Sequence, residues 1–203
     1  MALCLVGSEM CIRDSILTIA DKSRYLLPET SYSSKMYDYV KGQYLQGKSW
    51  EEARDNVYER YQVESKDGYN ITSKKLYCNG CFAAGINFAA SLISLFWGEG
   101  NLKRTIKIGT LTGWDSDNPT STWGGLIGFI IGKKGVEKEF NRKFSEKYFI
   151  HKTRQNFDYE VDDFDNMANN AIKIITNMVK NETNGRFDQE NQLWYIPQVD
   201  QIK

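Results

Sequence analysis

Histidine is nearly missing from this 203-residue chain, His151 being the single example, and cysteine is sparse, with four in all. Two of the four, Cys4 and Cys11, fall within the first fifteen residues, which leaves Cys78 and Cys81 as an isolated C-x-x-C. A zinc centre needs a second ligand pair at a set spacing, and none follows. A redox dithiol would sit after a strand, whereas this pair lies where an apolar helix is expected to begin, so both are expected as buried structural cysteines on that helix. Charge of one sign is also lacking: 26 basic residues balance 26 acidic ones. That balance removes the electrostatic case for binding nucleic acid or an anionic membrane surface.

Long hydrophobic runs are absent too, with one candidate. Residues Leu76 to Gly98 carry no charge, but Asn79, Gly80, Gly85, Asn87, Ser91 and Ser94 interrupt them. That polarity is too high for a bilayer span and suits a buried central helix of a bundle. No membrane contact is expected. There is no internal repeat, no low-complexity tract and no βαβ pattern.

The first fifteen residues are expected not to be biological. Residues 5–15 match the translation of a transposase-type sequencing-library adapter, whose DNA string ATG-TGT-ATA-AGA-GAC-AG reads as Met10 to Asp14 and then Ser or Arg. A secretory signal would carry a basic start, and the apolar stretch here stops at Ser8-Glu9. Residues 16–203 then form part of one domain, whose natural chain is expected to extend upstream. Removing Arg13 from one side and Glu9 and Asp14 from the other leaves the charges in balance.

What is present is helical signal, and the predicted class is an all-α bundle. Ser49-Trp50-Glu51-Glu52 is a capping box opening a helix with Ala53, Val57, Tyr58 and Tyr61 on one face. Met36 to Leu45 reads as the helix before it, and Lys66-Asp67-Gly68 as a loop. The uncharged helix is expected from about Asn79 to Trp97, ending at Gly98-Glu99-Gly100, with a short helix from Leu102 to about Gly109. Gly124, Gly128 and Gly132 recur every four residues, predicting a side-chain-free stripe on one helix that a neighbour or ligand approaches closely. Asp162 or Asp163 caps a last amphipathic helix carrying Phe164, Met167, Ala168, Ala171, Ile172, Ile175, Met178 and Val179. Leu193-Trp194-Tyr195-Ile196-Pro197 reads as a short strand or packing arm.

Most of the chemistry lies in residues 113–132. Asp115 and Asp117, one residue apart, sit between an apolar run and the glycine-laced helix. Carboxylates so placed are costly to desolvate unless a cation or a donor network receives them. Mg2+ takes oxygen ligands of this kind, usually one or two carboxylates with water and substrate. The competing reading is a turn that caps the next helix.

Gly113-Trp114-Asp115-Ser116-Asp117-Asn118, with Gly124 six residues on, resembles the C-terminal metal motif of the ADP-ribosylglycohydrolases, G-[GW]-D-[ST]-D-[TN] before a helix of small residues. Leu95 to Leu102, with Thr105-Ile106 after it, is similar to the segment leading into that motif. The resemblance covers residues 76–135 closely and 25–200 loosely. It implies an all-helical hydrolase that uses two Mg2+ ions to cleave the glycosidic bond at the anomeric carbon of the terminal ribose. The implied partner is an ADP-ribosylated protein or another ADP-ribose conjugate. Asp115 and Asp117 match the two metal-binding aspartates, Asn118 stands where many members have a threonine ligand, and Ser116 matches a Thr or Ser position.

The family's other ligands, an acidic residue and a Thr-Asp-Asp cluster, belong to the N-terminal half and have no counterpart here. Glu160 to Asp165 read as the start and cap of the last helix. The catalytic carboxylates are therefore expected upstream, with this chain alone inactive. The alternative is a catalytically silent structural or binding member of the same family, an architecture also used by lens crystallins. A third is an unrelated helical domain with a chance D-x-D.

Overall fold

The structure is a computed structural model that describes residues 9–70, 80–156 and 160–197, with side chains described from Ser15 onward. It is mostly helical, as an all-α reading requires. The chain divides into two compact units, Met1–Arg142 and Lys143–Lys203.

The first unit is built around the uncharged helix α4, Ala84–Gly98, whose Ile86, Ala89, Ala90, Leu92, Ile93, Leu95, Phe96 and Trp97 are all buried. With apolar residues on every side, it can only be a core element, and each large side chain removed from water contributes about 1.5–3 kcal/mol. Among the described residues no helix is long and apolar enough to cross a membrane. α4 starts later than expected. Cys81 is not on the helix: it lies in the turn before it, half-buried and disulfide-bonded. The expectation of a mostly buried cysteine on the helix is corrected for Cys81; Cys78 lies outside the described residues.

Around α4 pack α1 (Glu9–Arg24), α2 (Tyr32–Leu45), α3 (Trp50–Val57) and α5 (Leu102–Thr112). α1 runs across residue 15, and its Ile16, Leu17 and Ala20 lie against the core. The Ser49 capping box forms as read: the Glu52 N–H donates to Ser49 Oγ at 3.2 Å, and the Ser49 N–H donates to Glu52 Oε2 at 2.8 Å. α3 continues into a π-helical turn, Tyr58–Val63, followed by a 3-10 turn at Lys66–Gly68. Within the π turn the Gln62 carboxamide is buried, with neither its oxygen nor its nitrogen hydrogen-bonded. An unsatisfied buried amide costs about 1–3 kcal/mol, so Gln62→Met should raise the thermal midpoint; an unchanged or lower midpoint in calorimetry would refute that accounting.

Asp67 ties this region together. Arg60 donates to both its oxygens at 3.0 Å, and the Tyr61 hydroxyl donates at 2.9 Å. Burial opposes ionisation of Asp67, but the hydrogen bonds from Arg60 and Tyr61 outweigh it and hold its carboxyl below the usual range. A carboxyl depressed on folding stabilises the protein above its unfolded pKa, and that stability is lost as pH falls through the folded value. The unit should therefore lose stability below about pH 4, and Asp67→Asn should flatten that acid limb in denaturant melts.

α6, Asp117–Phe140, is two helical arms broken at Gly132, whose φ of 68° and ψ of 170° no helix accommodates. The expected single stripe of glycines is corrected accordingly. A Cβ on Gly124 would meet Ile106 of α5 at an ordinary 3.6 Å, one on Gly128 would meet Val136 of the second arm at 3.6 Å, and Gly132 is the bend itself. The outer face of the first arm leaves Leu126, Phe129 and Ile130 exposed.

The second unit holds α7, Phe164–Glu182, and two antiparallel pairs: β1 (Lys147–Phe149) with β2 (Val161–Asp163), and β3 (Arg186–Asp188) with β4 (Leu193–Tyr195). Asp163 caps α7, accepting the Asn166 N–H at 2.7 Å, while Asp162 accepts the Tyr148 hydroxyl at 2.9 Å. Asp163 is thus the cap the sequence suggested, while the strand β2 that ends there was not expected. Trp194 donates to Thr176 Oγ1 at 3.0 Å and joins β4 to α7.

Candidate metal centre

The aspartate loop connects α5 to α6 through two residues in the left-handed half of backbone space. Gly113 has φ 93° and ψ −156°, a conformation essentially restricted to glycine, and Trp114 follows with φ 56°. A non-glycine residue held there costs on the order of 1–3 kcal/mol and persists only where its surroundings over-determine it. Here the Trp114 ring packs against the core and, one residue on, the Asp115 N–H donates to the buried Asn87 Oδ1 at 3.0 Å.

This geometry brings the Asp115 and Asp117 carboxyls together. A hydrogen bond to Asp117 is the main reason the Asp115 carboxyl titrates above its ordinary range, with desolvation and the charge of Asp117 adding to it. Neighbouring carboxyls disfavour each other's charge, and a cation between them relieves that repulsion. Asp115 is half-buried, while Asp117 and Asn118 are exposed on the first turn of α6. The Asn118 N–H donates to the Asp115 carbonyl at 3.0 Å, so its backbone closes the turn.

The capping alternative fares differently. Ser116 occupies the N-cap position but makes no side-chain cap hydrogen bond, and α6 begins at Asp117 rather than at Trp123. Thr120 Oγ1 donates back to the Ser116 carbonyl at 2.8 Å and the Asp117 carbonyl at 3.0 Å. Trp123 Nε1 donates to the Ser91 carbonyl of α4 at 2.8 Å, which clamps the first arm of α6 onto the central helix. The carboxyls of the pair are thus left free of capping duty.

Hard anionic oxygens are the donor set Mg2+ accepts, and Asp115 with Asp117 would supply part of an octahedral shell, with the Asn118 amide oxygen as a third candidate. Among the described residues no group of three or more His, Cys, Asp or Glu is arranged to hold a metal ion. Sequence reasoning missed Asn87, noting it only as a polar interruption. The available signal was its cost: a carboxamide in an otherwise apolar helix must find partners.

Comparison with protein-family models, with curated proteins and with solved structures finds no match.

Proposed function

We propose that this chain carries the C-terminal metal-binding part of a Mg2+-dependent hydrolase that cleaves the glycosidic bond between ADP-ribose and an acceptor. The observation that carries the reading is the contact between the Asp115 and Asp117 carboxyls, held by a strained loop that no capping role explains. Two carboxyls that disfavour each other's charge mark a place where a divalent cation relieves repulsion. When bound, Mg2+ offers ribose hydroxyls a Lewis acid and stabilises charge developing at the sugar. The residues' own part is to hold and orient: Asp115 from the anchored loop, Asp117 from the first turn of α6, and Asn118 beside it.

A second reading, the catalytically silent member of the same family, is favoured by one observation. Among the described residues, no third His, Cys, Asp or Glu side chain joins the pair. One experiment separates them. The natural protein that contains residues 16–203 is incubated with an ADP-ribosylated protein in magnesium chloride or in EDTA. Release of free ADP-ribose only with Mg2+ supports the hydrolase. Mg2+ binding without release supports the silent member, and absence of Mg2+ binding overturns both.

A further inference from the structure

We propose that Asn87 is the positioning residue of the Asp115–Asp117 pair, its carboxamide fixing the backbone of the aspartate loop so that the two carboxyls meet. The functional consequence rests on the metal reading above; the structural link does not.

Every hydrogen-bonding direction that matters at Asn87 is used. Its Oδ1 accepts the Asp115 N–H at 3.0 Å, and its Nδ2 donates to the Cys81 carbonyl at 2.7 Å and to the Ala83 carbonyl at 3.1 Å. The amide orientation is therefore determined by chemistry. Flipped, it would set donors against the Asp115 N–H and an oxygen against two carbonyls. The splint joins three places: the central helix, the turn that holds the disulfide-bonded Cys81, and the site loop 28 residues downstream. A merely satisfied core asparagine would bond within its own helix and its entry turn. Asn87 does that with its nitrogen and reserves its oxygen for Asp115.

That oxygen acts where the loop is under tension. Gly113 and Trp114 both lie at positive φ, and the Asp115 N–H is the first backbone donor after them. If the acceptor is lost, the N–H is left unpaired and the loop can relax toward ordinary backbone angles. The Asp115 carboxyl would then swing away from Asp117, which is fixed separately by α6. An aspartate at position 87 would keep the acceptor but turn an oxygen toward two carbonyls, so only the carboxamide serves both ends.

The test compares Asn87→Leu, nearly isosteric, with Ser94→Ala as control. Ser94 lies on the same helix and donates a buried hydrogen bond to the Thr105 carbonyl at 2.8 Å, with no link to the loop. Two quantities are read: amide exchange at Asp115 by NMR, and Mg2+ affinity by titration calorimetry with magnesium chloride. Asn87→Leu should speed Asp115 exchange about tenfold or more while amides inside α5 keep their protection. It should weaken Mg2+ binding about 10–100-fold, the range seen when an orienting partner behind a metal ligand is lost. Ser94→Ala should leave both unchanged. Asn87→Ser, too short to reach Asp115 yet still polar, should give the same pattern if the leucine variant does not fold. Wild-type exchange at Asp115 in the Asn87 variants, or an equal effect of Ser94→Ala, overturns the proposal. If the wild type binds no Mg2+ while exchange still responds to Asn87, the metal reading falls and the positioning role stands.

Discussion

Gly98→Ala is expected to destabilise the first unit by about 3 kcal/mol, the upper part of the range for overpacking, although it places the better helix former at the end of a helix. Propensity alone predicts a gain of roughly 0.5–1 kcal/mol. Sterics reverse the sign. A Cβ at Gly98 would collide with Thr105 Oγ1 and lie 2.8 Å from Thr105 Cβ and 2.9 Å from Thr105 Cα. The hydroxyl could rotate away, but the Cα belongs to α5 backbone, and α5 is fixed at its start by Asn101, which accepts the Arg104 N–H at 2.8 Å. Relief therefore requires α4 and α5 to separate, opening the contact where Ser94 meets the Thr105 carbonyl. A fall in the melting midpoint of roughly 6–12 °C is expected for a chain of this size. Thr105→Ala, which removes the hydroxyl already buried without a partner, should rescue Gly98→Ala only in part, because the Cα stays. A Gly98→Ala protein as stable as wild type would show that α4 and α5 are not packed this closely.

The same contact shows what was and was not legible in the sequence. Periodicity and caps are local, so α3 with its Ser49 box, α5 from Leu102 and α7 behind Asp163 could all be read from neighbouring residues. The central place of α4 followed from its lack of charge. What failed depends on atoms distant in sequence. The Gly98–Thr105 approach gives no signal in either segment alone, and the four-residue spacing of Gly124, Gly128 and Gly132 looked like one stripe although Gly132 is a bend. The strands β1, β2 and β3 are three residues each, too short for alternation to emerge. At the site, Asp115 and Asp117 stood out because paired carboxylates are chemically expensive. Asn87 did not, since a neutral carboxamide reveals its role only when its partners are known.

Substituting either aspartate should have the largest effect on function. Under the metal reading, Asp117→Ala or Asp115→Ala should reduce Mg2+-dependent ADP-ribose release by about a hundredfold or more, since losing even a partner that merely orients a ligand costs about 10–100-fold. The electrostatics supply an independent signature that needs no substrate. The Asp115 carboxyl titrates above its ordinary range because of its hydrogen bond to Asp117, with desolvation and the charge of Asp117 adding to it. A carboxyl raised on folding contributes a destabilisation that is absent below its unfolded pKa and fully present above its folded one. At neutral pH without Mg2+ the pair therefore works against folding, and Asp117→Asn should raise the apo melting midpoint. Added Mg2+ binds the folded wild type and should raise its midpoint in proportion to the logarithm of its concentration above Kd. Asp117→Asn should lose that rise, so the order of the two midpoints reverses between EDTA and saturating magnesium chloride. A turn-shaping role predicts the opposite: the asparagine variant would be no more stable in EDTA, and Mg2+ would shift neither protein. A pair that binds Mg2+ with equal affinity before and after Asp117→Ala would remove Asp117 from the ligand set and leave Asp115 to be explained by its backbone anchor alone.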